Sequence, residues 1–315
     1  MTTEGDSTKR ADGGVEPTVV RDGESESRTL TDDEMAYGEE TATTQAPGSV
    51  TVIRTFVHRE ITTVILTPAY VALVLLMVII TGGTAFVGGG FEVGYLSTAL
   101  DLLTPMQLLV PIVAVALAFG AIQGESRRGE LAVFATYPVR SWELVTGIYL
   151  GRALGVASAV GLPLALLTVL IAFTDTPRLP MYATHTGVDS PVLYLRFVVL
   201  TLLFALVMVA IAIALSALSS TGRAAIAAAG VSLFALIIGF DLAVAFGFGG
   251  GFISDGALSS VLAASPLSAY RGLVFETAIV VADGTGPAFA TPLVSLGALL
   301  AWGVGSLLIA TAATR

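Results

Sequence analysis

Long apolar stretches separated by short polar segments make up the chain after about residue 50. A helix needs about 20 mostly apolar residues to cross the hydrocarbon core of a bilayer. Six stretches meet this requirement, at 61–81, 105–123, 152–173, 192–216, 224–247 and 287–310. The pattern therefore predicts an all-α integral membrane protein with six transmembrane helices.

The residues just before the first predicted span form an amphipathic pattern rather than a uniformly apolar one. Apolar side chains share one helical arc, and these are Val50, Ile53, Phe56, Val57 and Ile61. Most of the polar and charged side chains lie opposite, and these are Arg54, Thr55, His58 and Arg59. A helix with two such faces can lie in the membrane interface. We therefore expect an N-terminal interfacial helix, in which Glu60 is the one charged residue on the apolar arc.

The loop between the second and third predicted spans differs in composition from its surroundings. Residues 124–152 read GESRRGELAVFATYPVRSWELVTGIYLGR and carry six charges before Leu144. The charged residues are Glu125, Arg127, Arg128, Glu130, Arg140 and Glu143. The segment is too polar to cross a bilayer and too long for a tight helical hairpin. We therefore expect a helix that docks a soluble partner at the membrane face.

Local signals within this loop predict two helices. A short helix over 125–137 should end before Pro138, because the residue before a proline avoids helical backbone angles. Ser141 is a favourable N-cap for a second helix, and Glu143 in its first turn suits the positive end of the helix dipole. The second helix should run directly into the third span.

The placement of arginine predicts how the spans are oriented. Cytoplasmic loops carry an excess of Lys and Arg. With both termini in the cytoplasm, eight arginines outside the first 49 residues fall on that side: Arg54, Arg59, Arg127, Arg128, Arg140, Arg152, Arg223 and Arg315. The opposite side then holds three: Arg178, Arg196 and Arg271. We therefore expect a multi-pass protein of the cell membrane with both termini cytoplasmic.

The stretch 257–282 is fairly apolar, and a seventh span there would export the C-terminus. It contains Pro266, Arg271 and Glu276, and a charge at the bilayer centre costs roughly 2.5–3.5 kcal/mol on insertion scales. Ser265 followed by Pro266 is a typical helix start. We expect a re-entrant helix or a surface helix on the outer side, not a span.

Composition separates an acidic tail from the membrane body. The chain of 315 residues is 55% hydrophobic and 12% charged. Residues 1–49 hold twelve acidic and four basic residues, a net charge of −8 out of −9 for the whole chain. Such a segment cannot bury enough apolar surface to fold. We expect a disordered acidic cytoplasmic tail at 1–49 and a six-helix transmembrane domain at 50–315. The acidic tail and the single lysine, Lys9, favour a halophilic source.

The sequence lacks motifs for ATP binding and catalysis. The phosphate-binding pattern GxxxxGK[ST] is absent, and the nearest glycine spacing, Gly124 to Gly129, is followed by Glu130, which would repel phosphate. No HExxH or GxSxG pattern occurs, the histidines are only His58 and His185, and the chain has no cysteine. We therefore expect no catalytic, cofactor-binding or metal-binding residues, and no ATP hydrolysis by this chain.

Two alternatives to an ATP-driven transporter stay open. An ion-coupled secondary carrier usually needs a carboxylate near the bilayer midplane. Asp241 lies about 17 residues into the fifth span, or roughly 25 Å at 1.5 Å per residue, and therefore near the outer interface. This position makes the carrier less favoured. The other alternative is a non-transporting membrane scaffold that recruits a cytoplasmic protein.

Small residues recur every four positions on two spans. One set is Gly147, Gly151, Gly155 and Ala159, and the other is Gly297, Ala301 and Gly305. This spacing lets helix backbones approach closely in lipid. Either set can pack within the chain or across a dimer, and packing within the chain is the simpler expectation.

With these features the chain resembles permeases of the type-2 ABC export family. The likeness rests on the charged residues before Gly129-Glu130-Leu131, on Tyr137-Pro138-Val139-Arg140, on the capped helix that follows and on the glycines of the next span. In that family the helix between the second and third spans is the coupling helix, which docks into a groove of a separate ATP-binding subunit. By resemblance, the contact with the ATPase subunit would be formed by Glu125, Arg127, Arg128, Gly129, Glu130, Leu131 and Pro138.

The resemblance also implies a function and partners. The chain would be the permease subunit of an ATP-driven ABC exporter, working with a separate ATPase subunit and a second, identical permease subunit, and without nucleic acid. The interfacial helix near 53–61 resembles the elbow helix of the family. Ala264-Ser265-Pro266 with Tyr270-Arg271 resembles the subgroup that includes the permease of nitrous oxide reductase copper maturation. The acidic tail departs from the short N-terminus usual in the family.

Overall fold

The computed structural model describes residues 48–89, 94–119, 121, 140–174, 189–280 and 291–314. Within these ranges the chain is helical and contains no strand. The described residues belong to one compact unit, Ala46–Arg315. The predicted acidic tail at 1–49 lies outside the described residues except for Gly48 and Ser49.

Helices make up most of the described residues. In chain order they are α1 (Ser49–Ile65), α2 (Pro68–Val87), α3 (Tyr95–Ala118), α4 (Ser141–Ala172), α5 (Pro191–Leu218), α6 (Gly222–Gly249), α7 (Asp255–Ala263), α8 (Pro266–Val274) and α9 (Pro292–Ala313). A π-helical turn at Ala235–Gly239 lies within α6, and another at Phe275–Ile279 continues α8. Six of these helices, α2 to α6 and α9, are long and apolar enough to cross a membrane. The predicted all-α fold with six spans is confirmed.

The first two spans begin at different residues from those predicted. α1 continues to Ile65, and the first span begins at Pro68 instead of 61, because Thr67 caps a new helix by accepting a hydrogen bond from the Tyr70 N–H at 3.3 Å. The second span begins at Tyr95 instead of 105. The Asp189 carboxylate accepts hydrogen bonds from the N–H groups of Tyr95 and Leu96, at 3.0 and 2.9 Å, and so supplies the missing cap.

α4 begins at Ser141 and runs on as the third span without a break. This confirms the prediction of a helix that leads from the loop into the membrane. The N-cap, however, is Arg140, and Ser141 is the first helical residue. The Glu143 carboxylate accepts the Arg140 backbone N–H at 3.0 Å, and it thereby satisfies one of the donors at the helix start.

α5 is the central helix of the bundle. Of its most apolar stretch, 61% of residues are buried, against 6% for α6. α5 packs against α3, α4 and α9. It also holds α8, because the Thr201 hydroxyl hydrogen-bonds with the Tyr270 hydroxyl at 2.8 Å and the rings of Phe204 and Tyr270 stack with centroids 4.6 Å apart.

The predicted stretch 257–282 is described up to residue 280. It contains most of α7, all of α8 and the π-helical turn that follows α8. Ser265 is the N-cap of α8 and Pro266 its first residue, as the sequence predicts. The inner face of α8 is fully packed, with Leu267, Ala269 and Tyr270 all buried. A non-spanning helix that packs into the bundle therefore occupies this region.

Candidate functional site

The seven predicted contact residues for an ATPase subunit lie outside the described residues. They are Glu125, Arg127, Arg128, Gly129, Glu130, Leu131 and Pro138. The structure describes the helices on either side of them: α3, which leads into the segment, and α4, which leaves it. These two ends meet α1 and the C-terminal end of α9 in one place, which we call the junction. It contains Glu60, Leu117, Ser141, Arg152 and Thr314.

Three glycines of α4 bring α1 into close contact with it. Gly147, Gly151 and Gly155 face Phe56, Glu60 and Val64 of α1 in that order. A Cβ added at Gly147 would stand 2.5 Å from the Phe56 Cβ, and one at Gly155 would stand 2.9 Å from a Val64 methyl. No side chain fits between these backbones. The predicted packing of this glycine set is confirmed, and its partner is α1 of the same chain.

Glu60 lies in the middle of this contact and is 3% exposed. Its carboxylate forms an ion pair with Arg152 of α4, with 2.6 Å between Oε2 and Nε. The other carboxylate oxygen accepts a hydrogen bond from the Arg59 guanidinium at 3.1 Å. Burying a carboxylate is costly unless it is paired and hydrogen-bonded. Here Oε1 is hydrogen-bonded, while Oε2 is compensated by the charge of Arg152 without a hydrogen bond of its own.

Arg152 joins three helices at once. While its Nε faces Glu60, its Nη1 donates a hydrogen bond to the Leu117 carbonyl at 2.6 Å. Leu117 lies in the last turn of α3, where carbonyl groups have no partner within the helix and a positive charge is favoured by the helix dipole. One side chain therefore ties α1, the end of α3 and α4 together.

The start of α4 is also fixed to the two ends of the described chain. The Ser141 hydroxyl donates a hydrogen bond to the Thr314 carbonyl, just past the end of α9, at 3.1 Å. The buried Glu143 carboxylate interacts with the Ser49 side chain at the start of α1. The helix ends on either side of residues 122–139 are therefore held by three contacts: Arg152 with Leu117, Ser141 with Thr314, and Glu143 with Ser49.

The chemistry of the junction is structural. Its charged and hydroxyl groups bond to one another or to helix ends, so they fix backbone positions. Among the described residues no group of three or more His, Asp or Glu side chains is placed to hold a metal ion.

Sequence reasoning identified the glycines but missed the Glu60–Arg152 pair. The available signal was a carboxylate on the apolar arc of α1 together with an arginine at the predicted start of the third span. A charge that breaks an otherwise apolar face in a membrane protein needs a partner. The partner itself lies 92 positions away in the chain.

Comparison with known proteins gives consistent matches. Residues 54–313 match the family model described as ABC-2 family transporter protein. The chain is 30% identical over 230 residues to the probable ABC transporter permease protein NosY of Pseudomonas aeruginosa, covering 70% of this chain and 80% of that protein. It is 29% identical over 266 residues to the protein of the same name from Stutzerimonas stutzeri, covering 78% and 91%.

Proposed function

The chain belongs to the ABC-2 family of transporter proteins, and from this membership we propose that it couples ATP hydrolysis by a separate ATPase subunit to export of a substrate. Membership makes the chain the membrane permease subunit of an ABC transporter, a multi-pass membrane protein with an ATPase subunit as partner. The further proposal concerns how the ATPase is engaged. It also concerns which way the substrate moves.

We place the ATPase contact in the segment between α3 and α4. Glu125, Arg127, Arg128, Gly129, Glu130 and Leu131 would form the docking helix, and Pro138 would end it. The junction is the observation that carries this proposal. A docking segment transmits force only if its ends are fixed to the rest of the protein. Here the end of α3 is fixed by the bond from Arg152 to the Leu117 carbonyl, and the start of α4 by the bond from Ser141 to the Thr314 carbonyl.

A charge-reversal experiment tests the docking helix. The double substitution Glu125→Lys and Glu130→Lys should abolish copurification of the ATPase subunit and its ATPase activity in membranes, because four units of charge change at the contact. The matched control Glu39→Lys and Glu40→Lys makes the same change in the acidic tail and should leave both readouts intact. Unchanged association in the first variant would overturn the assignment. Transport that persists without any ATPase would favour the ion-coupled carrier, and association without ATP-dependent transport would favour the scaffold.

We further propose that the functional unit contains two identical copies, with both termini in the cytoplasm. The second glycine set supports this: a Cβ at Gly297 or Gly305 of α9 would meet nothing within 4 Å. An unpacked glycine in a helix costs about 1 kcal/mol relative to alanine and gains nothing within the chain. A second copy that packs against α9 would supply the missing contact.

A crosslinking experiment tests this contact, since the chain has no cysteine of its own. Gly305→Cys in native membranes should give a disulfide-linked dimer on oxidation. Gly161→Cys is the control, because a Cβ there meets Leu202 of the same chain at 3.5 Å. Equal crosslinking of the two variants, or none at Gly305, would argue against this dimer surface.

A further inference from the structure

A cavity with both apolar and polar walls lies toward the end of the bundle opposite the junction. Its volume is about 450 Å³, and α3, α6, α7, α8 and α9 contribute to its walls. Its polar lining consists of Gln107, Asp241, Ser259, Ser268, Arg271 and Ser295. Polar and ionisable groups within membrane spans are costly and mark functional sites by default. Gln107 and Ser295 lie buried within spanning helices, and Asp241 lies in the C-terminal half of a third, α6.

The cavity contains two opposite charges that do not neutralise each other. The Asp241 carboxylate accepts a hydrogen bond from the Ser268 hydroxyl at 3.0 Å. The Arg271 guanidinium lies over the ring of Phe275, 5.7 Å from its centroid. In the part of the chain that the structure describes, no ion pair joins Asp241 to Arg271. Each charge therefore keeps capacity for a partner in the cavity.

Ser295 adds an independent sign that a ligand belongs here. The residue is 0% exposed, and its hydroxyl has no hydrogen-bond partner among the described residues. A buried hydroxyl without a partner costs about 1–3 kcal/mol, so such groups are rare in folded proteins. A polar ligand in the cavity would supply the partner. The nearby Gln107 side chain, also buried, offers both a donor and an acceptor.

We propose that this cavity binds a zwitterionic group, a cationic nitrogen and an anionic carboxylate or phosphate on one molecule. The nitrogen would face Asp241, the anion would face Arg271, and Ser295 would bond to a polar atom between them. A ligand that carries both charges can form two charge-assisted hydrogen bonds in the site, whereas a ligand with one charge can form only one. The volume lies in the range of small-molecule sites. The ligand site would exist whether or not the loop between α3 and α4 docks an ATPase.

Two sources share this chemistry: a free zwitterionic solute and the headgroup of a zwitterionic lipid. The lipid route is open because α6, one wall of the cavity, is almost entirely unburied and faces outward. Binding to the full chain in detergent, after lipid removal, should be measured with L-serine and glycerophosphoethanolamine, which carry both charges. Ethanolamine and glycerol 3-phosphate, which carry one charge type each, are the comparison. Nanodiscs of phosphatidylethanolamine and of phosphatidylglycerol form the lipid arm.

The expected result is that a zwitterionic probe binds at least tenfold more tightly than either single-charge probe. Asp241→Asn and Arg271→Gln should each weaken it about tenfold or more, because each removes a charge-assisted hydrogen bond. Ser295→Ala and Ser259→Ala should weaken it several-fold. The controls Ser306→Ala and Ser260→Ala lie on the same two helices outside the cavity and should have no effect.

Several outcomes would decide the proposal. If the wild type retains zwitterionic lipid but binds no soluble probe, and the cavity variants do not retain that lipid, the site is supported and the lipid is its source. No preference for zwitterions in either arm overturns it, as does equal loss in the cavity variants and their controls. If Arg271→Gln fails to fold, the matched pair Ser259→Ala and Ser260→Ala gives the same test without changing charge.

Discussion

The buried ion pair between Glu60 and Arg152 offers a quantitative test of how the junction is held together. Methionine is the substitution of choice, because it keeps the length of the Glu60 side chain and most of the aliphatic stem of an arginine while removing the charge. Breaking a buried pair by removing one partner costs about 3–5 kcal/mol, since the remaining charge is left without compensation. The Arg152 side chain is 17% exposed, so we take the lower end, about 3 kcal/mol for Glu60→Met or for Arg152→Met.

The double substitution should cost no more than either single one, again about 3 kcal/mol. The second change removes the charge that the first left unpaired, and what is still lost is the hydrogen bond from Arg152 to the Leu117 carbonyl and the packing around it. The coupling energy between the two positions is therefore about 3 kcal/mol, at the upper end for residues in contact.

The measurement is equilibrium unfolding of the purified full chain in mild detergent, titrated with a denaturing detergent and followed by circular dichroism. Arg59→Met is the control: Arg59 also contacts Glu60, but its side chain is 38% exposed, and exposed pairs contribute at most about 1 kcal/mol. If the two single changes are additive in the double variant, or if Arg59→Met costs as much as Arg152→Met, the junction is not held by this pair.

Three further predictions concern packing, the start of α4 and orientation. Gly151→Ala should lower the free energy of unfolding by about 1–3 kcal/mol, because the added methyl overlaps the facing side chain of α1; Gly161→Ala has room and should be neutral, so equal effects in thermal unfolding would refute close packing. Ser141→Ala should cost about 1 kcal/mol by removing the bond to the end of α9, and an unchanged unfolding midpoint would contradict it. With no native cysteine to interfere, Ser126→Cys should react with an impermeant thiol reagent only after cell lysis and Thr186→Cys in intact cells, and the reverse pattern would invert the proposed orientation.

The number of spans could be predicted because it depends on a property of each segment alone. About 20 apolar residues cross the hydrocarbon core whatever they pack against, and all six predicted spans are present. Local helix signals were also sufficient at Ser265 and Pro266, where α8 begins. The start of the second span could not be predicted in this way. Its cap is the Asp189 side chain, which lies more than 90 positions from Tyr95 and leaves no local signal.

The buried face of α1 was harder to predict, for a reason specific to membranes. The apolar arc contains Val50, which is 80% exposed, while the charged Glu60 on the same arc is buried. In water an apolar arc marks the packed face of a helix. In or near a bilayer the outward face can be apolar too, so hydrophobicity no longer distinguishes inside from outside. The small residues of α4 were the better guide, since only they allow the close approach that places Glu60 beside Arg152.

Two helices connect the junction to the proposed ligand cavity. At the junction, the end of α3 is held by Arg152 through the Leu117 carbonyl, and the end of α9 by Ser141. The same two helices line the cavity through Gln107 and Ser295. The distance along α3 is ten residues, roughly 15 Å, and along α9 nineteen residues, roughly 28 Å. α3 contains Pro111 between these two points, which interrupts its backbone hydrogen bonding, whereas no proline interrupts α9 between Ser295 and Thr314. An ATPase that displaces the junction would therefore change the cavity walls chiefly through α9. By linkage, a ligand in the cavity would then change the affinity for the ATPase by the same factor.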